Sequence, residues 1–414
     1  MHASSKARAS VIAVHRTIHL AVLAVLLLTS TCKSSSASGS DTGTTGTDTR
    51  QKPSIQTSST IYKTHSSIAP RLQWHENHGY CGEVSFIQAG LAMGQYTSQY
   101  TARAIATPLT KQDSEGSQLL IGANDTCTAS RMGLDYVQFK GGGNTADFLT
   151  WIKAQLSLGR IVIIGVYANQ SRFNGKASGG DPDYDHIVTV TQIETTHPCK
   201  SPGDCVAIGD DIITIEDHGL FSSECDSGNR FLCSTGSTRN LCNGHTYSYL
   251  YSYSVRDFTH NRQEANAKNG SIYSVPKIDS SHTIANYGIA IKGLTSPQDG
   301  KRFYPISLNV EPNYECPRID EGSANAPIAP GNSITLRGTV SGLTSGQSYN
   351  LLQYDDFASL PPTKNGSANC DINFQQKPAI PSKMTKFTAA SDTHQFSVKS
   401  TSEKTVIFRV IRAD

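Results

Sequence analysis

Apolar positions recur with helical spacing in two stretches of the first half of the chain. The first helix is predicted to begin at Cys81, because apolar residues line one broad side of the segment that follows. The second is predicted over residues 145–158, with Asn144 or Thr145 as its N-cap and Gly159 as its stop.

Strand-like runs follow these helices. Residues 160–167 form a continuous apolar run, which is typical of a central strand buried on both faces. Residues 186–193 alternate in part between apolar and polar, and residues 211–216 form a third run that ends at Asp217. Helices followed by strands are the layout of an α+β domain, so this fold class is predicted for residues 61–279.

The pattern changes beyond about residue 280, where short apolar runs alternate with turn residues and no helical spacing competes. These runs predict a small all-β, sandwich-like domain over residues 280–414. The predicted strands cover residues 287–294, 304–310, 333–340, 349–354, 395–398 and 405–411.

The N-terminal 60 residues differ from the rest of the chain. Residues 1–33 combine a basic head (Lys6, Arg8 and Arg16) with an apolar stretch and small polar residues, which is typical of a signal peptide. In residues 34–60, 15 of 27 residues are Ser or Thr, and this predicts a disordered stalk because little apolar surface can be buried there. The alternative to secretion is a cell-surface protein held by an uncleaved N-terminal segment.

Composition narrows the class of protein. Of the 414 residues, 37% are hydrophobic and 17% are charged, and the formal net charge is +2. This balance argues against a long helical bundle and supplies no positive field for a polyanion, so no nucleic-acid partner is expected. No apolar run reaches the roughly 18 residues of a clean membrane span, which excludes a polytopic membrane protein.

Cysteines and glycosylation sequons indicate an oxidising, extracellular environment. The chain has ten cysteines, which is too many for a typical cytosolic protein of this size. Four Asn-X-Ser/Thr sequons fit a glycosylated surface. They lie at Asn124, Asn169, Asn269 and Asn365.

Three residues form a candidate catalytic set. Cys81 opens a helix, where backbone N–H groups and the helix dipole favour a thiolate. His186 begins a strand and Asp217 ends the next one, so pairing of these strands brings the two side chains within reach. Such an acid fixes the imidazole tautomer and supports the imidazolium that pairs with a thiolate.

The sequence around these residues resembles the papain-like cysteine peptidase superfamily, and more closely its bacteriocin-processing-type branch. The matching segments are Tyr-Cys-Gly-Glu-Val-Ser at residues 80–85, Asp-His-Ile-Val-Thr-Val at residues 185–190 and Ile-Thr-Ile-Glu-Asp-His-Gly at residues 213–219. Cys, His and Asp follow one another in the family's order. The resemblance covers residues 70–255.

The resemblance implies a papain-like cysteine peptidase domain and a role for each residue. Cys81 is expected to be the nucleophile, His186 the general base and acid, and Asp217 the orienting acid. The implied activity is hydrolysis of a peptide or protein substrate through a thioester, without a cofactor.

The oxyanion hole departs from the family pattern. The family supplies a Gln about six residues before the cysteine, and this chain has His75 there. Gln73, eight residues before Cys81, and Asn77, four residues before it, are the two candidate amide donors.

Each candidate residue also has a structural interpretation. Cys81 could form a disulfide, His186 could be a hydrogen-bonded strand residue, and Asp217 could belong to a turn. The corresponding function is a non-catalytic binding protein whose C-terminal domain recognises a cell-surface partner or a glycan. A third interpretation is that this domain only stabilises the first one. The oligomeric state stays open.

A metal site is not predicted, although several potential ligands lie close together in sequence. The chain has no HExxH motif and no paired CxxC motif, which are the usual zinc-binding patterns. The potential ligands are His75, Glu76, His78, Asp217 and His218.

The number of cysteines is consistent with a free Cys81. With the cysteine at the leader boundary set aside and Cys81 free, eight cysteines remain, and an even number can pair completely. Cys316 with Cys370 is predicted to bridge the β-domain, and Cys199 with Cys205 to close a short loop. The other four supply two more bridges with the pairing open: Cys127, Cys225, Cys233 and Cys242.

Overall fold

The computed structural model has mixed α and β structure, which confirms the predicted α+β class at this level. It describes residues 59–413 except for residues 64–70, 75–78, 108–111, 113, 140–143, 222–236, 240, 243, 280–284, 298, 317–330, 362–369 and 371–377. The predicted leader and nearly all of the predicted stalk lie outside the described residues. The same holds for Asn77, Cys225, Cys233 and Asn365, so the expectations for them stay predictions.

Both predicted helices are present and begin at the predicted residues. In the described residues the α-helices are α1 (Cys81–Leu91), α2 (Gln99–Ala106), α3 (Asp125–Arg131), α4 (Thr145–Ser157), α5 (Gln170–Phe173) and α6 (Arg262–Ala265). Short 3-10 helices cover Glu115–Ser117, Pro202–Asp204 and Phe357–Ser359. Asn144 forms a capping box with Asp147 at the start of α4. Each of these helices is too short or too polar to cross a membrane.

Strands make up most of the remaining regular structure. In chain order the described strands are β1 (Thr60–Lys63), β2 (Gln95–Tyr96), β3 (Leu134–Gln138), β4 (Ile161–Ala168), β5 (His186–Thr195), β6 (Ile212–Glu216), β7 (Ser237–Arg239), β8 (Thr246–Ser248), β9 (Leu250–Ser254), β10 (Thr259–His260), β11 (Tyr273–Pro276), β12 (Gly288–Leu294), β13 (Ile306–Glu311), β14 (Ser333–Ser341), β15 (Ser348–Tyr354), β16 (Lys383–Thr388), β17 (Thr393–Thr401) and β18 (Val406–Arg412).

The first sheet is centred on β4 and β5. Its strands run in the order β10-β11-β4-β5-β6-β9, and β1 also pairs with β5. Every residue of β4 is buried, as its continuous apolar run predicts. The antiparallel register places Val166 opposite His186 and Thr189 opposite Glu216. The start of β5 and the end of β6 therefore lie at the same end of the sheet.

Strand β12 corrects the predicted domain boundary. Its sequence pattern assigns it to the C-terminal domain, but β12 pairs with β3 and β4 and so belongs to the first sheet. A boundary at residue 280 is therefore wrong for this strand. A Cβ on Gly288 would lie 2.9 Å from Trp151 and 3.0 Å from Phe148, so β12 can approach α4 because this residue has no side chain. A short apolar run indicates a strand but does not specify its partner.

Two smaller antiparallel sheets form the C-terminal region. Their orders are β13-β14-β17 and β16-β15-β18-β2, and their facing residues share one core that includes Leu336 and Phe408. Ile87 and Leu91 of α1 belong to the same core, and β2, which follows α1, pairs with β18. The two sheets are consistent with a β-sandwich, and Gln56–Asp414 form one compact unit.

The disulfides differ in part from the expected pairs. Cys199 pairs with Cys205 as predicted. Pairing of Cys316 with Cys370 is wrong, because Cys370 pairs with Cys127 of α3 and Cys316 pairs with Cys242. Their Cα–Cα distances are 5.2 and 5.4 Å. Both bridges join residues before position 280 to residues after it, which proximity along the sequence could not indicate.

One predicted glycosylation site is also wrong. Asn169 is 1% exposed, and its amide donates to the carbonyls of Ala267 and Ser271 at 2.8 and 3.2 Å, so it has no space for a glycan. Asn124 is half-buried, with its amide donating to a backbone carbonyl at 2.9 Å. Asn269 is exposed and stays a prediction.

Candidate active site

Cys81 is the first residue of α1 and is half-buried. Its preceding residue, Tyr80, makes no side-chain cap, so the first backbone N–H groups of the helix are left for other partners. The next residue, Gly82, has no side chain, and the packing requires this because a Cβ there would lie 2.0 Å from the carbonyl oxygen of Leu119. Among the described residues, Cys81 is the only cysteine outside a disulfide.

A buried ion pair fixes the first turn of α1. Glu83 and Arg103 are fully buried, and the Arg103 Nε donates to the Glu83 carboxylate at 2.6 Å. The backbone N–H of Leu119 donates to the same carboxylate oxygen at 3.1 Å. The Arg103 guanidinium also lies over the ring of Tyr80, 3.6 Å from its centroid. These contacts hold the residues on both sides of Cys81.

His186 and Asp217 meet where β5 begins and β6 ends, at the same end of the sheet. The distance from His186 Nε2 to Asp217 Oδ1 is 2.6 Å, and the side chains are 2% and 0% exposed. The other carboxylate oxygen of Asp217 accepts from the backbone N–H groups of Gly219 and Leu220 at 3.2 and 3.0 Å. Both oxygens of the carboxylate are therefore held in place.

His186 and Asp217 shift each other's pKa in the direction that favours the charged form of each side chain. Burial alone would lower the pKa of His186, but the hydrogen bond with Asp217 and the contact with Cys81 raise it to about 10. Burial alone would raise the pKa of Asp217, but the hydrogen bond and the charge of His186 lower it. Because Nε2 is bound to Asp217, Nδ1 is the ring nitrogen left to exchange a proton with Cys81. The structure thus brings the three predicted residues together.

Aromatic rings surround the His186–Asp217 pair. The ring of Tyr273 stacks on the imidazole of His186, with centroids 5.6 Å apart and an angle of 22° between the planes. Tyr251 packs edge-on against Tyr273 at 5.3 Å. Burial, with the charge of Asp217, raises the pKa of both tyrosines, so their hydroxyls stay neutral. Sequence reasoning missed Tyr273, because β11 carries no strong local strand signal.

The loop before His186 is anchored by Asp185, a residue to which the sequence analysis assigned no role. Asp185 accepts from Arg262 at 2.6 Å and from the backbone N–H of Ala168 at 2.9 Å. The Arg262 guanidinium lies 3.5 Å from the centroid of the Tyr167 ring. These contacts fix the point at which β5 begins.

The two oxyanion candidates have different outcomes. Gln73 is 5% exposed, and its backbone N–H donates to the carbonyl of His218 at 2.9 Å, so it lies beside the end of β6. Its side-chain oxygen has no hydrogen-bond partner among the described residues. A contact between this amide and the substrate stays a prediction. Asn77 lies outside the described residues.

The described part of the chain holds no group of His, Cys, Asp or Glu side chains arranged for a metal ion. His218, which the sequence grouped with potential ligands, is fully buried, and its Nε2 lies 2.7 Å from the hydroxyl of Ser85. His75, Glu76 and His78 lie outside the described residues.

Comparison with known proteins adds no family assignment. No protein-family model matches the chain, and a search of curated proteins finds no match.

Proposed function

We propose that this protein is a papain-like cysteine hydrolase that acts on peptide bonds. The observation that carries the proposal is the chain of contacts from Cys81 at the start of α1, through His186, to the buried carboxylate of Asp217 at 2.6 Å. A nucleophile, a base within reach of it and an acid that orients the base are the parts that acyl transfer needs.

In the proposed reaction Cys81 and His186 start as a thiolate–imidazolium pair, because the raised pKa of His186 keeps the proton of the thiol on the ring. The thiolate adds to the carbonyl carbon of the substrate. The oxyanion that forms accepts hydrogen bonds from the Cys81 backbone N–H and, as predicted, from the Gln73 amide. The imidazolium then gives its proton to the leaving amine, and a thioester remains on Cys81. His186 takes a proton from water, which attacks the thioester, so the acid is released and the thiolate–imidazolium pair is restored.

Asp217 supports each proton transfer. Its carboxylate holds the proton on Nε2 and so presents Nδ1 toward Cys81. It also stabilises the imidazolium that forms when Cys81 loses its proton. The aromatic rings of Tyr251 and Tyr273 keep water from this hydrogen bond, which strengthens it.

Alkylation with iodoacetamide tests the proposal without a known substrate. We expect labelling of Cys81 between about pH 5 and pH 8, read by mass spectrometry of the labelled peptide, and no labelling there in Cys81→Ala.

Asp217→Asn is expected to slow peptide hydrolysis by about 10- to 100-fold, since general acid–base catalysis contributes at least this much. Asp210→Asn, at an exposed position, is the matched control and is expected to have no effect.

Folded protein that resists alkylation over this whole pH range would contradict the proposal. So would a Cys81→Ala variant that hydrolyses peptides as fast as the wild type, because the thioester could not form in it.

We extend the proposal to a secreted protein. The three disulfides in the described residues are consistent with an oxidising environment, because such bonds rarely persist in the cytosol. A cell-surface protein held by its N-terminal segment has the same support. Sequencing of the N-terminus of the mature protein distinguishes the two.

A second candidate function is binding by the C-terminal region. A cavity of about 720 Å³ lies beside the end of α1, and its lining includes Met93, Arg302 and Tyr304. Its volume is within the usual range for ligand sites, and it lies away from Cys81. Glycan-array binding that survives in Cys81→Ala but is lost in Arg302→Ala would favour this function over hydrolysis.

A further inference from the structure

His218 contacts the segments that carry the candidate chemistry. It follows Asp217 directly and is fully buried. Its Nε2 lies 2.7 Å from the hydroxyl of Ser85, and that hydroxyl donates to the carbonyl oxygen of Cys81 at 2.8 Å. Its own carbonyl accepts from the backbone N–H of Gln73 at 2.9 Å. One residue thus connects the nucleophile, the orienting acid and the predicted oxyanion donor.

The direction of these hydrogen bonds follows from the number of protons available. A carbonyl can only accept, so the single hydroxyl proton of Ser85 goes to Cys81. The Ser85 oxygen must then accept a proton from His218, which assigns the Nε2–H tautomer to this ring. Nδ1 carries the lone pair and has no hydrogen-bond partner among the described residues.

The ring of His218 is also held in its neutral form. Burial lowers its pKa to about 3, and the positive charge of His186 acts in the same direction, while the charge of Asp217 offsets only part of the effect. A group with this pKa does not gain a proton between pH 5 and pH 8. Its Nε2–H therefore stays a fixed donor over the range in which a cysteine hydrolase works.

We propose that His218 is a positioning residue for the nucleophile. Its Nε2–H binds Ser85, Ser85 binds the carbonyl of Cys81, and this relay fixes the first turn of α1 against the segment that holds Asp217. The inference rests on the proposed function, because a fixed place matters only if Cys81 reacts with the help of His186. Displacement of a reacting group by about 1 Å can cost about a hundredfold in rate.

Ser85 and His218 are unsuited to be a second nucleophile and base. Both side chains are 0% exposed, so no substrate reaches the hydroxyl. The hydroxyl proton is committed to a carbonyl of the same helix, and Nδ1 of the ring has no acid to orient it. The pair therefore acts on Cys81 through hydrogen bonds and takes no part in bond making.

Three variants test the relay. In His218→Gln the amide nitrogen can reach the position of Nε2 and still donate to Ser85. In His218→Asn the amide is too short for this contact and lies near the position of Nδ1, so the pair is matched in polarity and differs in reach. Ser85→Ala removes the other half of the relay.

The readouts are the rate of Cys81 alkylation by iodoacetamide at pH 7 and, with a peptide substrate, kcat and KM. We expect His218→Asn and Ser85→Ala to lower kcat by about tenfold or more with little change in KM, because substrate binding is not affected. We expect His218→Gln to recover kcat to within about threefold of the wild type. The double variant Ser85→Ala/His218→Asn should be no slower than the slower single variant, because both changes break one relay.

The possible results separate the relay from the proposed function. A reactive wild type whose folded His218→Asn variant keeps its alkylation rate and kcat would overturn the relay alone, as would additive effects in the double variant. A wild type that is never alkylated would overturn both. Long-range ¹H–¹⁵N NMR gives a readout that does not depend on activity: the Nε2–H tautomer of His218 is expected from pH 5 to 8, and an Nδ1–H or doubly protonated ring would refute the relay.

Discussion

Replacement of Gly82 by Ala tests how tightly the helix that starts at Cys81 is packed. The ideal Cβ of residue 82 would lie 2.0 Å from the carbonyl oxygen of Leu119, 3.0 Å from its carbonyl carbon and 3.2 Å from the Cδ1 of Ile187. The nearest of these atoms belongs to the backbone, which cannot turn away as a side chain would. The N–H of the same residue donates to buried Glu83, so movement of Leu119 also disturbs that hydrogen bond.

The expected cost follows from this overlap. The carbonyl of Leu119 must move by about 1 Å, and such overpacking of a well-packed core costs about 1–3 kcal/mol. Ala favours a helix over Gly by about 1 kcal/mol, which offsets part of this cost. Because the overlap is with the backbone, the overpacking cost should be near about 3 kcal/mol, and the helix preference of Ala returns about 1 kcal/mol. We therefore expect Gly82→Ala to lower the free energy of unfolding by about 2 kcal/mol. Alkylation of Cys81 should slow as well, because the neighbouring residue is displaced.

Urea denaturation measures the free energy of unfolding, and Gly203→Ala is the matched control. The nearest atom to a Cβ at Gly203 is the hydroxyl oxygen of Ser201 at 3.8 Å, so this change should be within about 0.5 kcal/mol of neutral. If Gly82→Ala were as stable as Gly203→Ala, with an unchanged alkylation rate, the close approach of Leu119 to α1 would be refuted.

Three further predictions concern charge and covalent links. The pKa of His186 rises from 6.5 to about 10 on folding, so its protonated form stabilises the protein fully below pH 6.5, and this contribution is lost as the pH rises toward 10. The difference in free energy of unfolding between the wild type and His186→Gln should therefore shrink by up to about 1.4 kcal/mol per pH unit over this range, and a difference independent of pH would contradict the shift. Arg103→Met leaves Glu83 buried without its counter-charge and should lower the free energy of unfolding, measured by urea denaturation, by about 3–5 kcal/mol. Part of this loss should be recovered when Glu83→Gln is added, and no recovery would argue against the ion pair. Replacement of Cys127 and Cys370 by Ser removes a bridge across 243 residues and should lower the free energy of unfolding by about 2–5 kcal/mol, whereas equal stability of the oxidised proteins would argue against this pairing.

Local sequence patterns predicted the elements that carry the candidate site. Helical spacing and a capping residue depend on neighbours within a few positions, and α1 and α4 begin at Cys81 and Thr145 as these signals indicate. His186 begins one strand and Asp217 directly follows the next strand in the chain. Sequential strands commonly pair, so their contact could be anticipated before the structure.

Contacts between distant parts of the chain could not be predicted in this way. The partner of Cys370 is in α3, and β12 joins the first sheet although its pattern resembles that of the strands after it. Tyr273 stacks on His186 from a strand that pairs with the end of β4. The type of a single residue, or the pattern of a short apolar run, does not indicate which remote segment it contacts in the folded protein.

By itself the sequence determined that a cysteine at a helix start, a histidine at a strand start and an aspartate at a strand end occur in one α+β domain. These features are local, because each depends on the spacing of apolar residues and on nearby turn residues. Only the tertiary structure decided that Asp217 holds His186 at 2.6 Å, that Asn169 is buried, and that His218 is a buried, neutral ring against Ser85. Burial and hydrogen bonding set the charge and the role of a side chain, and both depend on residues that are far apart in the sequence.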